Sequence, residues 1–206
     1  GDPVGEFRPS ALRVYGLELV VEADGSSRVV FDNAGSAVFA NGVWINTATD
    51  RFTAVDPVTG QEHLRIHLNE RIENADGTTT IHGLRYEDLT GAHPEVVLGR
   101  VVHAPAEAEP EPGPNPEPEP EPGTGPELPR HHAFGVWATG ASVVDPAPVA
   151  GGDRGERAHL ERVVDGLTGQ VTVEDVAVES GEDGARVAVG DVLLYPGTDV
   201  EIALRD

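Results

Sequence analysis

The chain has 206 residues with 36 carboxylates against 14 basic residues, and its net charge of −22 opposes partners that are themselves anionic, such as nucleic acid or an acidic membrane surface. All the basic residues are arginine, and cysteine and methionine are both absent, which excludes a disulfide framework and thiolate metal sites. No run of 18 apolar residues is present, so the sequence predicts no membrane span.

Gly1 to Pro9 reads as an irregular tail, and a first residue other than methionine predicts an exported, processed chain. Period-two alternation then dominates, predicting strands over Leu12–Glu22, Ser27–Asp32, Ala37–Asn46, Thr79–Tyr86 and Glu95–His103. The clearest case is His63 to Asn69, where Leu64, Ile66 and Leu68 share one face and His63, Arg65, His67 and Asn69 the other. Turn signals punctuate these runs at Ala23-Asp24-Gly25, Asn33-Ala34-Gly35, Asn41-Gly42, Asp56-Pro57, Thr59-Gly60, Asp76-Gly77 and Thr90-Gly91.

Residues 105–129, PAEAEPEPGPNPEPEPEPGTGPELP, interrupt the pattern. Proline fixes φ and donates no hydrogen bond, and the interleaved glutamates repel one another. The expectation is an extended polyproline-II-like spacer that reaches roughly 75 Å at about 3.1 Å per residue. It divides the chain into an N-terminal β domain at 1–104 and a C-terminal β domain at 130–206. In the latter, strands are predicted over Phe134–Val144, Arg157–Val164 (with a helical alternative), Gln170–Glu179, Ala185–Leu194 and Val200–Leu204. Many short strands with glycine-rich turns define the expected class as all-β, two small sandwich or barrel-like halves.

No nucleophile elbow, phosphate loop, zinc helix, EF-hand or dinucleotide fingerprint occurs, and the chain reads as non-enzymatic. His63 and His67, four apart on a strand, lie about 13 Å from each other and cannot share an ion. His131-His132 reads as a loop at the spacer exit, with metal binding alongside a partner subunit as the rarer alternative. Calcium is the one cation that the carboxylate-rich turns at Asp24, Asp32, Asp50, Asp56, Asp76 and Glu182-Asp183 would suit, but no repeat spacing supports a site and no cofactor is expected. Trp44 and Trp137 sit in apolar runs and are expected in the core, whereas either one exposed on a sheet face would favour glycan binding.

The stretch Ile66-His67-Leu68-Asn69-Glu70, then Thr79 to Leu84, then Glu95-Val96-Val97-Leu98-Gly99, resembles a succession of strands in actinobacterial secreted proteins of the choice-of-anchor type. Ala133 to Val136 with Asp145 to Val149 is similar to another phrase of the same family. The resemblance implies a cell-surface β protein with no catalytic residues to carry over.

Two functions follow as expectations. The first is an extracellular structural subunit that polymerises with its own kind by strand or tail exchange, with Leu12, Val14, Leu17, Leu19 and Val21 as the assembly residues. The second is a secreted or surface-anchored adhesin module that binds a cell-wall or extracellular polysaccharide. A secreted hydrolase with paired carboxylates ranks third.

Overall fold

A computed structural model of the chain describes residues 12–32, 36–40, 43–105, 131–140, 143–151, 156–164 and 171–194. The described residues form fifteen strands and no helix. These are β1 (Leu12–Val14), β2 (Leu17–Glu22), β3 (Ser27–Phe31), β4 (Val38–Ala40), β5 (Val43–Trp44), β6 (Arg51–Val55), β7 (Glu62–Glu73), β8 (Thr79–Asp88), β9 (Glu95–His103), β10 (His131–Thr139), β11 (Val144–Gly151), β12 (Glu156–Val164), β13 (Val171–Gly181), β14 (Gly184–Val189) and β15 (Val192–Leu194). The all-β expectation holds, and Arg157–Val164 is a strand rather than a helix. Val200–Leu204 and the Gly1–Pro9 tail lie outside the described residues.

Two antiparallel sheets make a sandwich. The smaller is a six-stranded meander in the order β11-β10-β9-β8-β7-β6. The larger has the order β3-β2-β14-β13-β15-β1-β4-β5, with β12 on the other side of β13. Both sheets take strands from either side of residues 105–129, and one apolar cluster runs through them from Leu12 to Leu194. The division into separate domains at 1–104 and 130–206 is therefore corrected: β9 and β10, which flank the proline-glutamate segment, are neighbours, with His103 opposite His131. The segment joins adjacent strands of one sheet. Composition marked a break there, but strand pairing between residues far apart in sequence is not a compositional property.

The larger sheet is simpler than its strand count. β1 and β2 pair with β15 and β14 in one continuous register, Leu12 with Leu194 and Leu17 with Val189, as do β14 and β15 against β13. Each pair is one long strand with a crease. The crease appears in the burial as a step of three between inward side chains where regular alternation gives two: Val14 and Leu17, Val173 and Val176, Val189 and Val192. The meander repeats it, with Ile81 and Leu84, Leu98 and Val101, and Ala133 and Val136 all inward. Its crease crosses Asn69, Gly83, Gly99 and Gly135, which face one another at the positions the ladders skip.

The two creases lie against each other. A Cβ on Gly135 would stand 2.2 Å from Val176 Cγ1, and one on Gly99 about van der Waals distance from Leu19 and Val187. Bending both sheets at matching positions brings their backbones close enough for small Val and Leu side chains to fill the interior, in a chain with few aromatic residues.

Candidate functional site

The five proposed assembly residues, Leu12, Val14, Leu17, Leu19 and Val21, are 0–2 % exposed and belong to this common core. β1 lies between β15 and β4, and β2 between β14 and β3, so neither strand is an open edge of its own sheet. The outward residue of β1, Arg13, is one that builds a site.

Directly opposite residues in an antiparallel pair present their side chains on the same face. Reading outward positions across the larger sheet gives a row from Val164 through Thr172, Leu193, Arg13 and Phe39 to Trp44. Beside it, on the crease, stand Arg162, which pairs with Glu174, and Asp191, whose carbonyl accepts the Glu174 amide. Of these, Arg13, Thr172, Leu193, Arg162 and Asp191 line, with Glu174 and Tyr15, a groove of about 290 Å³, and Trp44 stands next to it, beyond Tyr15. The crease explains the groove, because an interrupted alternation turns consecutive polar residues outward and leaves a trough between the rows.

One end of the groove is aromatic. Tyr15 and Trp44 are 37 % and 48 % exposed, with ring centroids 6.2 Å apart and tilted by 36°. Trp44 rests edge-on against the buried Phe39 at 5.2 Å, which fixes its plane. Trp44 is thus corrected from core to surface: β5 is a two-residue strand at the end of its sheet, too short to carry the indole inward. The floor holds Thr172, only 8 % exposed, whose hydroxyl has no hydrogen-bond partner in the protein. Burying an unpaired hydroxyl is unfavourable, and in a groove it is a position that a ligand hydroxyl can satisfy.

The outer face of the meander is polar in a different way. Glu70 lies 2.9 Å from His82 Nδ1 and 3.3 Å from Arg85, and Arg85 also meets Glu95 at 2.6 Å. Burial alone would raise the Glu70 carboxyl, but the His82 hydrogen bond and the Arg85 charge outweigh it and hold it below its ordinary range. Glu87, Arg65, Glu62 and Arg51 extend the network towards β6. These groups satisfy one another, which marks a structural ladder. Trp137 lies half-buried on this face rather than in the core. His67 faces Glu70 at 3.5 Å, as the outward assignment of that strand requires.

His131 is not in a loop: it opens β10 and is buried against His103. The acidic turns are self-contained. Asp24, Asp56, Asp76 and Asp88 each accept backbone amides two or three residues on, closing their own turns. Among the described residues no group of three His, Cys, Asp or Glu side chains is arranged to hold a metal ion, and no helix is long and apolar enough to cross a membrane.

The fold and the groove define the class of protein: an all-β sandwich whose polar, aromatic-ended trough crosses the strands of its larger sheet. Compared with family models, curated proteins and solved structures, the chain matches none.

Proposed function

We propose that this chain is a non-enzymatic binding module of the cell exterior that holds a polysaccharide in the groove across its larger sheet. The observation that carries the reading is the Thr172 hydroxyl, nine-tenths buried and unpaired, in a trough lined at one end by the exposed ring of Tyr15, with the exposed ring of Trp44 beside it. A sugar presents hydroxyls along its edge and C–H groups on its faces, which suit the polar floor and the aromatic end respectively. Arg162, Glu174 and Asp191 supply further donors and acceptors. Electrophoresis through gels containing extracellular or cell-wall polysaccharides tests it. Retardation of the chain that Trp44→Ala abolishes supports the reading, and unretarded migration in every gel overturns it.

Self-assembly is the second reading, with another copy of the chain as partner. Among the described residues β12 pairs on one side only, and an unpaired edge is a template for another strand. Arg157, Glu161 and Arg162 lie along this edge strand, and such charges guard edges against pairing, which places this reading second. Light scattering across a concentration series decides it: growing mass supports assembly, and a constant monomer removes it.

A further inference from the structure

Resting on the polysaccharide reading, we infer that the groove takes an uncharged glycan chain lying across the strands, with a sugar face on Trp44 and Tyr15 and a sugar hydroxyl on Thr172.

Charge selects against an acidic polymer. Glu174 and Asp191 line the groove alongside Arg13 and Arg162, so the trough is internally balanced, while Asp175 and Glu161 lie on the next positions of the same creased strands and are exposed. The chain as a whole carries −22. A uronate or sulfated polymer would bring its own charges against this field without an unbalanced cationic surface to receive them. An uncharged chain meets no such opposition, and its hydroxyls both donate and accept, as arginine and carboxylate neighbours require.

Shape sets the direction. The row of outward side chains that floors the trough and runs on past it to the aromatic pair crosses five strands from Trp44 on β5 to Thr172 on β13, roughly 19 Å at about 4.8 Å between neighbours. That length takes an oligosaccharide rather than a single sugar, and its rim is open, which suits the interior of a long chain. The aromatic end lies at one side and the buried hydroxyl at the other, so one ligand chain has to satisfy both.

Calorimetry on the whole chain tests this with uncharged hexasaccharides of glucose, xylose and mannose, and with oligogalacturonate, at low and high sodium chloride. The expected result is binding of an uncharged member with less than about a twofold change in affinity between salts, because an uncharged ligand has no charge to screen. Trp44→Ala and, separately, Thr172→Val should weaken it about tenfold each. Trp44 is largely exposed and Val has nearly the shape of Thr, so both variants should fold; near-ultraviolet circular dichroism checks this. Tyr15→Ala gives a third variant. Binding of oligogalacturonate alone overturns the inference and leaves the polysaccharide reading standing. Binding of an uncharged member that neither Thr172→Val nor Trp44→Ala alters overturns the assignment to this groove. Absence of binding to either class overturns both.

Discussion

His103 and His131 face each other across the β9–β10 ladder with Nδ1 of the first 3.0 Å from Nε2 of the second. His131 Nδ1 lies 3.2 Å from the Gly181 carbonyl, which can only accept, so that nitrogen carries the proton. Nε2 of His131 then accepts from Nδ1–H of His103, and a one-way chain of two neutral rings links the meander to the β13–β14 turn. The Ser180 hydroxyl closes the arrangement by donating to the His131 carbonyl at 2.8 Å.

Acid should loosen this end of the sandwich. If both rings are protonated, two N–H groups point at each other in a buried space. Burial pushes the His103 imidazole below its ordinary value of 6.5, and the nearby Arg71 charge adds to this, while Asp24 and Glu73 oppose it. His82 is lowered as well, by burial, against the opposing pull of Glu70. A histidine with a depressed folded-state pKa binds its proton more readily in the unfolded chain. Its contribution is therefore present above about pH 6.5 and lost as pH falls below it. Thermal melts from pH 7.5 to 5 should show falling stability, and the slope should be shallower in His103→Gln. An unchanged slope in that variant would remove the pair as its cause.

The crease gives a sharper test. A methyl group on Gly135 would meet Val176 Cγ1 at 2.2 Å and the Ala147 carbonyl and Pro148 ring at 2.8 Å, all in the closed interior. Gly135→Ala should cost about 2–3 kcal/mol by overpacking. Gly77→Ala, at φ +83° in a turn with nothing within 4 Å, should cost only its backbone strain, about 1 kcal/mol. Combining Gly135→Ala with Val176→Ala should recover part of the loss, because one of the three obstructions is removed. Denaturant titration of these three variants and of Val176→Ala alone measures this, and additive losses for the pair would place the two sheets farther apart than the crease requires.

Much of this was readable in the chain. Alternation located most of the strands, and the inward residues Leu12, Val14, Leu17, Leu19 and Val21 already contain the three-residue step at Tyr15-Gly16. At β11, Pro146 and Pro148 argue against a strand, yet it pairs only with β10 and an edge tolerates missing donors. β6 is a short, half-buried edge strand whose alternation is too brief to stand out in the sequence. The pairing of β9 with β10 and the unpaired state of the Thr172 hydroxyl depend on contacts remote in sequence, and no local pattern carries them. Thr172 sits in an ordinary alternating run, Val171-Thr172-Val173, which signals only that it points outward.

Glu70 anchors the ladder on the meander, and Glu70→Gln should show what it contributes. The variant leaves His82 and Arg85 without their shared carboxylate, although Arg85 keeps Glu95. A loss of about 1–3 kcal/mol is expected at pH 7. Because the folded-state carboxyl is held low, its contribution is present above about pH 4.5 and disappears as pH falls through the folded value. The difference between wild type and variant should therefore shrink below pH 4, and a constant difference would assign the loss to packing instead.

The register of His103 with His131 makes the proline-glutamate segment dispensable for folding. Its ends are already neighbours in one ladder, so a short turn can replace it, as in any hairpin. Replacing residues 104–130 by Asn-Gly shortens the closure between β9 and β10 and should raise stability by about 1–2 kcal/mol, since closing a long loop costs more entropy than closing a short one. A spacer between independent domains would behave differently: two halves brought within two residues of each other would keep or lose stability according to their own contacts, with no gain from closure. Chemical denaturation of the shortened chain distinguishes the two. One cooperative transition at higher denaturant fits a single sandwich, whereas two transitions would return the chain to separate folding units.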